Sequence, residues 1–243
     1  MKATGWSIAF CVLLLSAPAA LRAEGPACLD CHPDKREGAS IHPAVDMGCE
    51  SCHLGKHEGE KPAPKLSSPL PDLCFTCHDR SAFDKKIQHA PVAGGMCGSC
   101  HDPHASANRK LLVTAVPDLC FTCHDKQAVV KKAAAHATAA GGQCVTCHNP
   151  HGSDGAFVLN QLVESYCESC HDEITVRHVM ARIDPRNSHP LKGKADPLRT
   201  GKELACPSCH NPHASDQQRI STKGRPGPEP LCLRCHSRIK AAP

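Results

Sequence analysis

The chain has 243 residues with a formal net charge of +4, and it combines 3% aromatic residues with 21 prolines and 19 cysteines. So small a net charge excludes a nucleic-acid-binding surface, and so few aromatics exclude an ordinary side-chain core in a chain this long. Something other than side chains must fill the interior.

Residues 1–23 read as an export signal. Lys2 precedes an apolar run from Ile8 to Leu15, and small residues lead to a cleavage point after Ala23, the layout of a secretory peptide. The run is shorter than the ~20 residues that span a bilayer. Cys11, inside the run, lacks the small preceding residue of a lipid-modified cysteine. Removal of Lys2 and Arg22 lowers the formal charge to +2, and no later apolar run is long enough to cross a membrane. The expectation is a periplasmic chain with no transmembrane segment, with the outer membrane or the cell exterior as other destinations.

Beyond that point, over residues 24–243, every cysteine falls in one frame, Cys-x-x-Cys-His, and there are nine copies. The first, Cys28, Cys31 and His32, stands alone. The others form four repeat units of about 42–79, 89–125, 136–172 and 189–236. The first unit carries Cys49, Cys52 and His53, then Cys74, Cys77 and His78. The second carries Cys97, Cys100 and His101, then Cys120, Cys123 and His124. The third carries Cys144, Cys147 and His148, then Cys167, Cys170 and His171. The fourth carries Cys206, Cys209 and His210, then Cys232, Cys235 and His236. The units' leading frames are 48, 47 and 62 residues apart, the last interval being stretched by an insert between Asp172 and Cys206.

Taken in chain order, the local signals are those of short helices and loops. Asp72 and Asp118, in "PDLC", are placed to cap the turn carrying a frame. "EKPAPKLSSPLPD" and "KGRPGPEP" are loops. "KQAVVKKAAAHATAA", Lys126 to Ala140, reads as one helix stopped by Gly141 and Gly142. "EITVRHVMARI", Glu173 to Ile183, reads as another, ended ahead of Pro185. The fold class is therefore mostly irregular with short α-helices and almost no β-structure.

Cys-x-x-Cys-His is the attachment frame of a c-type haem. Its two thiols sit on one side of a tight turn and add across the two vinyl groups of one porphyrin, and the histidine supplies an axial ligand. Zinc half-sites, redox disulfides and a disulfide scaffold leave the ninefold histidine unexplained. Eighteen histidines divide evenly: nine in the frames and nine outside them, His42, His57, His89, His104, His136, His151, His178, His189 and His213. Nine haems need nine second ligands. Methionine is scarce after the signal, at Met47, Met96 and Met180, so bis-histidine iron of low potential is expected throughout. His151, three residues past His148, is too near to pass round the ring of its own haem and is expected on a neighbouring iron, as are His57, His104 and His213. His42, His89 and His136 have the slack for a local or a neighbouring iron, and His178 and His189 share what remains. With haems as the interior, the apoprotein is expected to be largely unstructured.

The chain after the signal resembles the multihaem c-type cytochromes with doubled Cys-x-x-Cys-His motifs. Residues 89–125, "HAPVAGGMCGSCHDPHASANRKLLVTAVPDLCFTCHD", carry that likeness most fully. It is also similar to the periplasmic decahaem cytochromes that feed outer-membrane porin conduits, from which it departs in frame number and in the insert. The resemblance implies an electron carrier rather than an enzyme, working between inner-membrane quinol-linked cytochromes and an outer-membrane or extracellular acceptor. The competing readings are a multihaem oxidoreductase, which needs an open iron position, and a polymerising extracellular filament subunit.

Overall fold

A Cys-x-x-Cys-His frame closes as a single helical turn because the histidine N–H reaches back four residues to the carbonyl of the first cysteine. That hydrogen bond spans 2.8–3.0 Å in the frames ending at His32, His78, His101, His124, His148, His171 and His210. The computed structural model describes residues 28–55, 65–171, 193–217 and 235–236. Helices among them are α1 (Cys28–Cys31), α2 (Asp72–Phe75), α3 (Ala90–Ala93), α4 (Asp118–Phe121), α5 (Lys126–Val129), α6 (Ala137–Ala140), α7 (Cys144–Cys147), α8 (Val163–Cys170) and α9 (Cys206–Cys209). Most are one turn long, so the fold is irregular backbone with short helices, as its composition implies.

Among the described residues eight two-residue strands form four antiparallel pairs: β1 (Ser40–Ile41) with β5 (Ala105–Ser106), β2 (His53–Leu54) with β3 (Lys65–Leu66), β4 (Ile87–Gln88) with β7 (Gly152–Ser153), and β6 (Ala134–Ala135) with β8 (Ala214–Ser215). Three of these pairs perform one task. Each joins the strand ahead of His42, His89 or His136 to the strand just past His104, His151 or His213. The ladder continues into the histidines themselves, whose backbone N–H groups bond across at 2.8 Å (His42 to His104), 3.2 Å (His89 to His151) and 2.8 Å (His136 to His213). Successive units are thus interlocked by backbone rather than by a core.

Glycine doublets make a second interlock. Gly95 and Gly142 have φ of +68° and +72°, in the left-handed region that favours glycine. A Cβ at Gly95 would lie 2.8 Å from the ring of Pro71, and one at Gly142 2.7 Å from the ring of Pro117. The doublets of the second and third units therefore nest on the proline ahead of the previous unit's second frame.

Two local expectations are corrected. Lys126 to Ala140 is not one helix: α5 ends at Val129, β6 intervenes, and α6 begins after His136. Continuous helix would carry His136 away from its partner ring and would cost β6 its pairing with β8, so tertiary demands override good propensity. Asp72 and Asp118 do not cap either. They occupy the first helical position behind Pro71 and Pro117, which make no side-chain cap bond, and pair instead with Arg80 at 2.7 Å and Lys126 at 3.9 Å. The capping aspartates are those directly after the frames: Asp79 accepts from the Ser81 N–H at 2.9 Å and Asp125 from the Gln127 N–H at 2.8 Å. The expected helix over residues 173–183 and the loop "KGRPGPEP" lie outside the described residues. Within the proline-rich stretch before Cys74, Lys65–Leu66 form β3 rather than loop.

Among the described residues Ala214, 1% exposed, is the sole buried hydrophobic side chain, while Leu54, Met96 and Val145, which adjoin or lie within frames, remain more than half exposed. No helix of the described residues is long and apolar enough to cross a membrane.

Candidate haem centres

Among the described residues histidines meet in pairs, and six of these pairs each take one member from a frame and one from outside it. Ring centroids are 6.0 Å apart for His53 and His104, for His78 and His42, and for His124 and His89. The separations are 5.9 Å for His101 and His151, 6.2 Å for His171 and His136, and 5.6 Å for His148 and His213. With metal–imidazole bonds of about 2 Å, two rings on opposite sides of one metal have centroids about 6 Å apart. The spacing fits an iron held between the rings; the His148–His213 pair is the tightest, its facing Nε2 atoms 3.4 Å apart, somewhat closer than the ~4 Å that two such bonds would set. Exposed apolar residues at the frames fit the flat apolar ring that such an iron would occupy.

The register of the pairs is regular. His42, His89 and His136 each face the second frame of their own unit, some 35 residues ahead. His104, His151 and His213 each face the first frame of the preceding unit. His57, His178, His189 and Cys232 lie outside the described residues. Burial holds the imidazoles of His104, His151 and His213 below the usual histidine range, which keeps them neutral, as a metal ligand must be.

The nitrogen facing away from the iron position is also engaged. His101 Nδ1 lies 2.8 Å from the Lys110 carbonyl oxygen and His148 Nδ1 3.0 Å from that of Phe157. His89 Nδ1 meets the Pro150 carbonyl at 2.9 Å. An Nδ1–H donated this way fixes the tautomer, aims Nε2 at the metal and raises its basicity. The first two acceptors sit in strained turns. Lys110 and Leu111 have φ of 59° and 58°, and Phe157 and Val158 have φ of 59° and 50°, values that cost non-glycine residues of order 1–3 kcal/mol each. The strain sits where a carbonyl is turned toward a frame imidazole.

The recurring text "HDPH" and "HNPH" now has a structural reason. Asp102, Asn149 and Asn211 each accept, through the side chain, the backbone N–H of the histidine two residues on, at 2.8, 3.0 and 3.0 Å. This is an Asx turn around a proline, and it throws the second histidine away from its own frame. The serines that follow, Ser106, Ser153 and Ser215, are among the few buried polar residues. Ser153 Oγ donates to the Gly155 carbonyl at 2.8 Å, while Ser106 Oγ accepts from the Asn108 N–H at 2.9 Å. Aspartate and asparagine are turn-forming residue types, but the service of these turns to the paired histidines depends on contacts between units.

Thiols of consecutive frames influence one another in chain order. Burial and the neighbouring Cys28 thiol raise the Cys49 thiol above its usual range, and burial with Cys97 does the same to Cys74. Burial and Cys144 push Cys120 up to about 11. The same causes, burial with Cys123 and burial with Cys170, raise Cys100 and Cys147, and Cys74 also feels Cys52. The leading thiols of frames one and two, three and four, and five and six are hydrogen-bond neighbours, and the electrostatic influence of Cys52 on Cys74, of Cys123 on Cys100 and of Cys170 on Cys147 brings frames one to seven near one another in chain order. Packing of α8 against α9 carries the series to the eighth frame.

The end of the insert forms a hairpin clamped on that eighth frame. Asp196 N–H bonds to the Lys202 carbonyl at 2.8 Å and Leu204 N–H to that of Lys194 at 2.7 Å. The Asp196 carboxylate, with a side chain 2% exposed, takes Arg199 Nε at 2.6 Å. Arg199 also donates to Ser208 Oγ inside the frame. The Arg199 guanidinium and the Leu198 N–H hold the Asp196 carboxyl down to about 2.

The family of the doubled CXXCH motif matches this sequence four times, over residues 42–83, 89–129, 136–175 and 196–241. The chain belongs to that family and is a multihaem c-type cytochrome. No curated protein sequence matches it.

Proposed function

We propose that this cytochrome is an electron carrier whose nine frames each hold one low-potential bis-histidine haem, forming a wire that runs in chain order. The observation that carries the reading is the string of six histidine pairs, each about 6 Å between ring centroids, along consecutive frames whose thiols lie near one another. Each haem supplies one-electron ferric–ferrous chemistry when bound. The chain's own residues hold the rings close together, exclude a substrate from the iron by filling both axial positions, and set each potential through ligand basicity and burial.

Nine histidines outside the frames match nine within them, so the ligand supply suffices for every haem, and no frame ends in a lysine that would mark an open catalytic iron. The leader-like residues 1–23 favour export to the periplasm, where inner-membrane quinol-linked cytochromes would donate and an outer-membrane porin conduit or extracellular acceptor would receive. Encounters with such partners are expected to be weak and electrostatic.

The test is an intact-mass measurement on protein from a host competent in cytochrome c maturation, combined with optical and electron paramagnetic resonance (EPR) spectra. A gain of nine haem masses, purely low-spin iron and rapid reduction of all haems by a low-potential donor are the expected results. A high-spin haem that binds nitrite, hydroxylamine or a sulfur oxyanion would convert the reading to the enzyme.

A further inference from the structure

The six imidazole pairs are not alike in orientation. Five have interplanar angles of 6°, 13°, 17°, 27° and 33°. The sixth, His136 with His171 at the seventh frame, is crossed at 66°.

The local cause is visible. His136 Nδ1 lies 2.5 Å from Thr138 Oγ1, two residues on in the same turn. In the preceding unit the corresponding residue is Pro91, which has no hydroxyl, and His89 Nδ1 turns to the Pro150 carbonyl instead; its pair is nearly parallel at 13°. In the first unit the position is Ala44, also without a hydroxyl, and the His42 pair stands at 17°. With Nε2 committed to iron, His136 Nδ1 carries the proton and Thr138 accepts it, which sets the ring's rotation about its Cβ–Cγ bond.

Ring rotation matters to iron because each imidazole donates π density into the d orbital perpendicular to its own plane. Parallel rings load one orbital and leave its partner, so the ferric ion is rhombic and stabilised. Crossed rings load both alike, which leaves the orbitals nearly degenerate, gives a strongly anisotropic ferric ion and favours the ferrous state. Ligand orientation set by a second-shell hydrogen bond is a recognised lever on a metal site.

We propose that Thr138 is a positioning residue that crosses the ligands of the seventh haem and makes that haem electronically distinct from its neighbours in the series. This rests on reading the histidine pairs as axial ligands. The consequence for the wire is a more easily reduced station at the seventh frame, which closes the third unit just ahead of the insert that leads to the fourth.

EPR of the fully ferric protein, with haem content fixed by intact mass, tests it. The expected spectrum contains a low-field, highly anisotropic component beside the rhombic signals. Thr138→Val, and independently Thr138→Pro, which copies the preceding unit, should each move one haem equivalent from that component into the rhombic envelope; Thr138→Ser should leave it in place. If both variants keep the full haem complement and their spectra superimpose on that of the unaltered protein, the proposal is overturned while the wire stands. A wrong haem count or a colourless protein strikes the wire itself, and the mass reports that separately.

Discussion

His151 owes its position to Asn149, whose side-chain oxygen accepts the His151 N–H at 3.0 Å. Asn149→Ala removes the acceptor, at a net cost of about 1 kcal/mol, and frees a ligand-bearing loop to swing. The expected result is a drop in thermal midpoint together with a high-spin fraction at the one haem bound through His101, seen in the optical spectrum; an unchanged low-spin spectrum would show that strands β4 and β7 suffice to hold the ligand. Asp196 makes a pH prediction. Its folded carboxyl is depressed to about 2 from an ordinary 3.8, so the stability it lends is complete above the ordinary value and is lost as pH falls toward 2. Asp196→Asn should therefore unfold at a lower temperature than the parent at pH 6, and the two melting curves should converge as the pH approaches 2. Curves that stay apart down to pH 2 would mean that the loss is one of packing rather than charge.

At the scale of elements, the frames were legible because a thioether-bound haem tolerates so little variation in spacing, and the four units followed from their period. The pairing of histidines was not. His42, His89 and His136 have enough chain on either side to reach more than one iron, and the choice is made by β1, β4 and β6, two-residue strands too short to leave a periodic signal. The broken helix over Lys126 to Ala140 has the same origin, since β6 lies in its middle. The left-handed turns at Lys110–Leu111 and Phe157–Val158 were invisible because neither carries glycine or asparagine, the residues that announce a positive φ. Glycine doublets, by contrast, could be seen as helix stops but not as seats for a proline from another unit. Gly142→Ala combines a Cβ 2.7 Å from the Pro117 ring with a φ of +72°. It should cost about 1–3 kcal/mol, measured by denaturant unfolding of the holoprotein. A loss smaller than a few tenths would mean that Pro117 moves aside freely and that the doublet is no interlock.

For the molecule as a whole, what holds the chain folded is the question that its composition raised and its structure sharpens. A domain of ordinary design offsets the entropy of ordering its backbone by burying apolar side chains, yet among the described residues Ala214 alone among hydrophobic side chains is buried. Two-residue strand pairs and helices of one or two turns are far below the length at which either kind of element persists alone in water. The irregular fold class was legible from this shortage of core-forming residues, whereas the interlocked strand register was not, because it depends on contacts between units rather than on any one unit's text. Covalently held macrocycles at frames where Val145, Met96 and Leu54 stand exposed are the material that can close the balance. Protein made in a host without cytochrome c maturation, secreted and kept reduced, should accordingly show a far-ultraviolet circular dichroism spectrum of disordered chain, rapid hydrogen exchange at the His42, His89 and His136 amides, and no cooperative melting transition. The haem-loaded protein should melt cooperatively and protect those three amides, since they bridge units whose positions the haems impose. Cooperative unfolding of the haem-free chain would place the stabilising force in the polypeptide, and would require a core that the described residues do not contain.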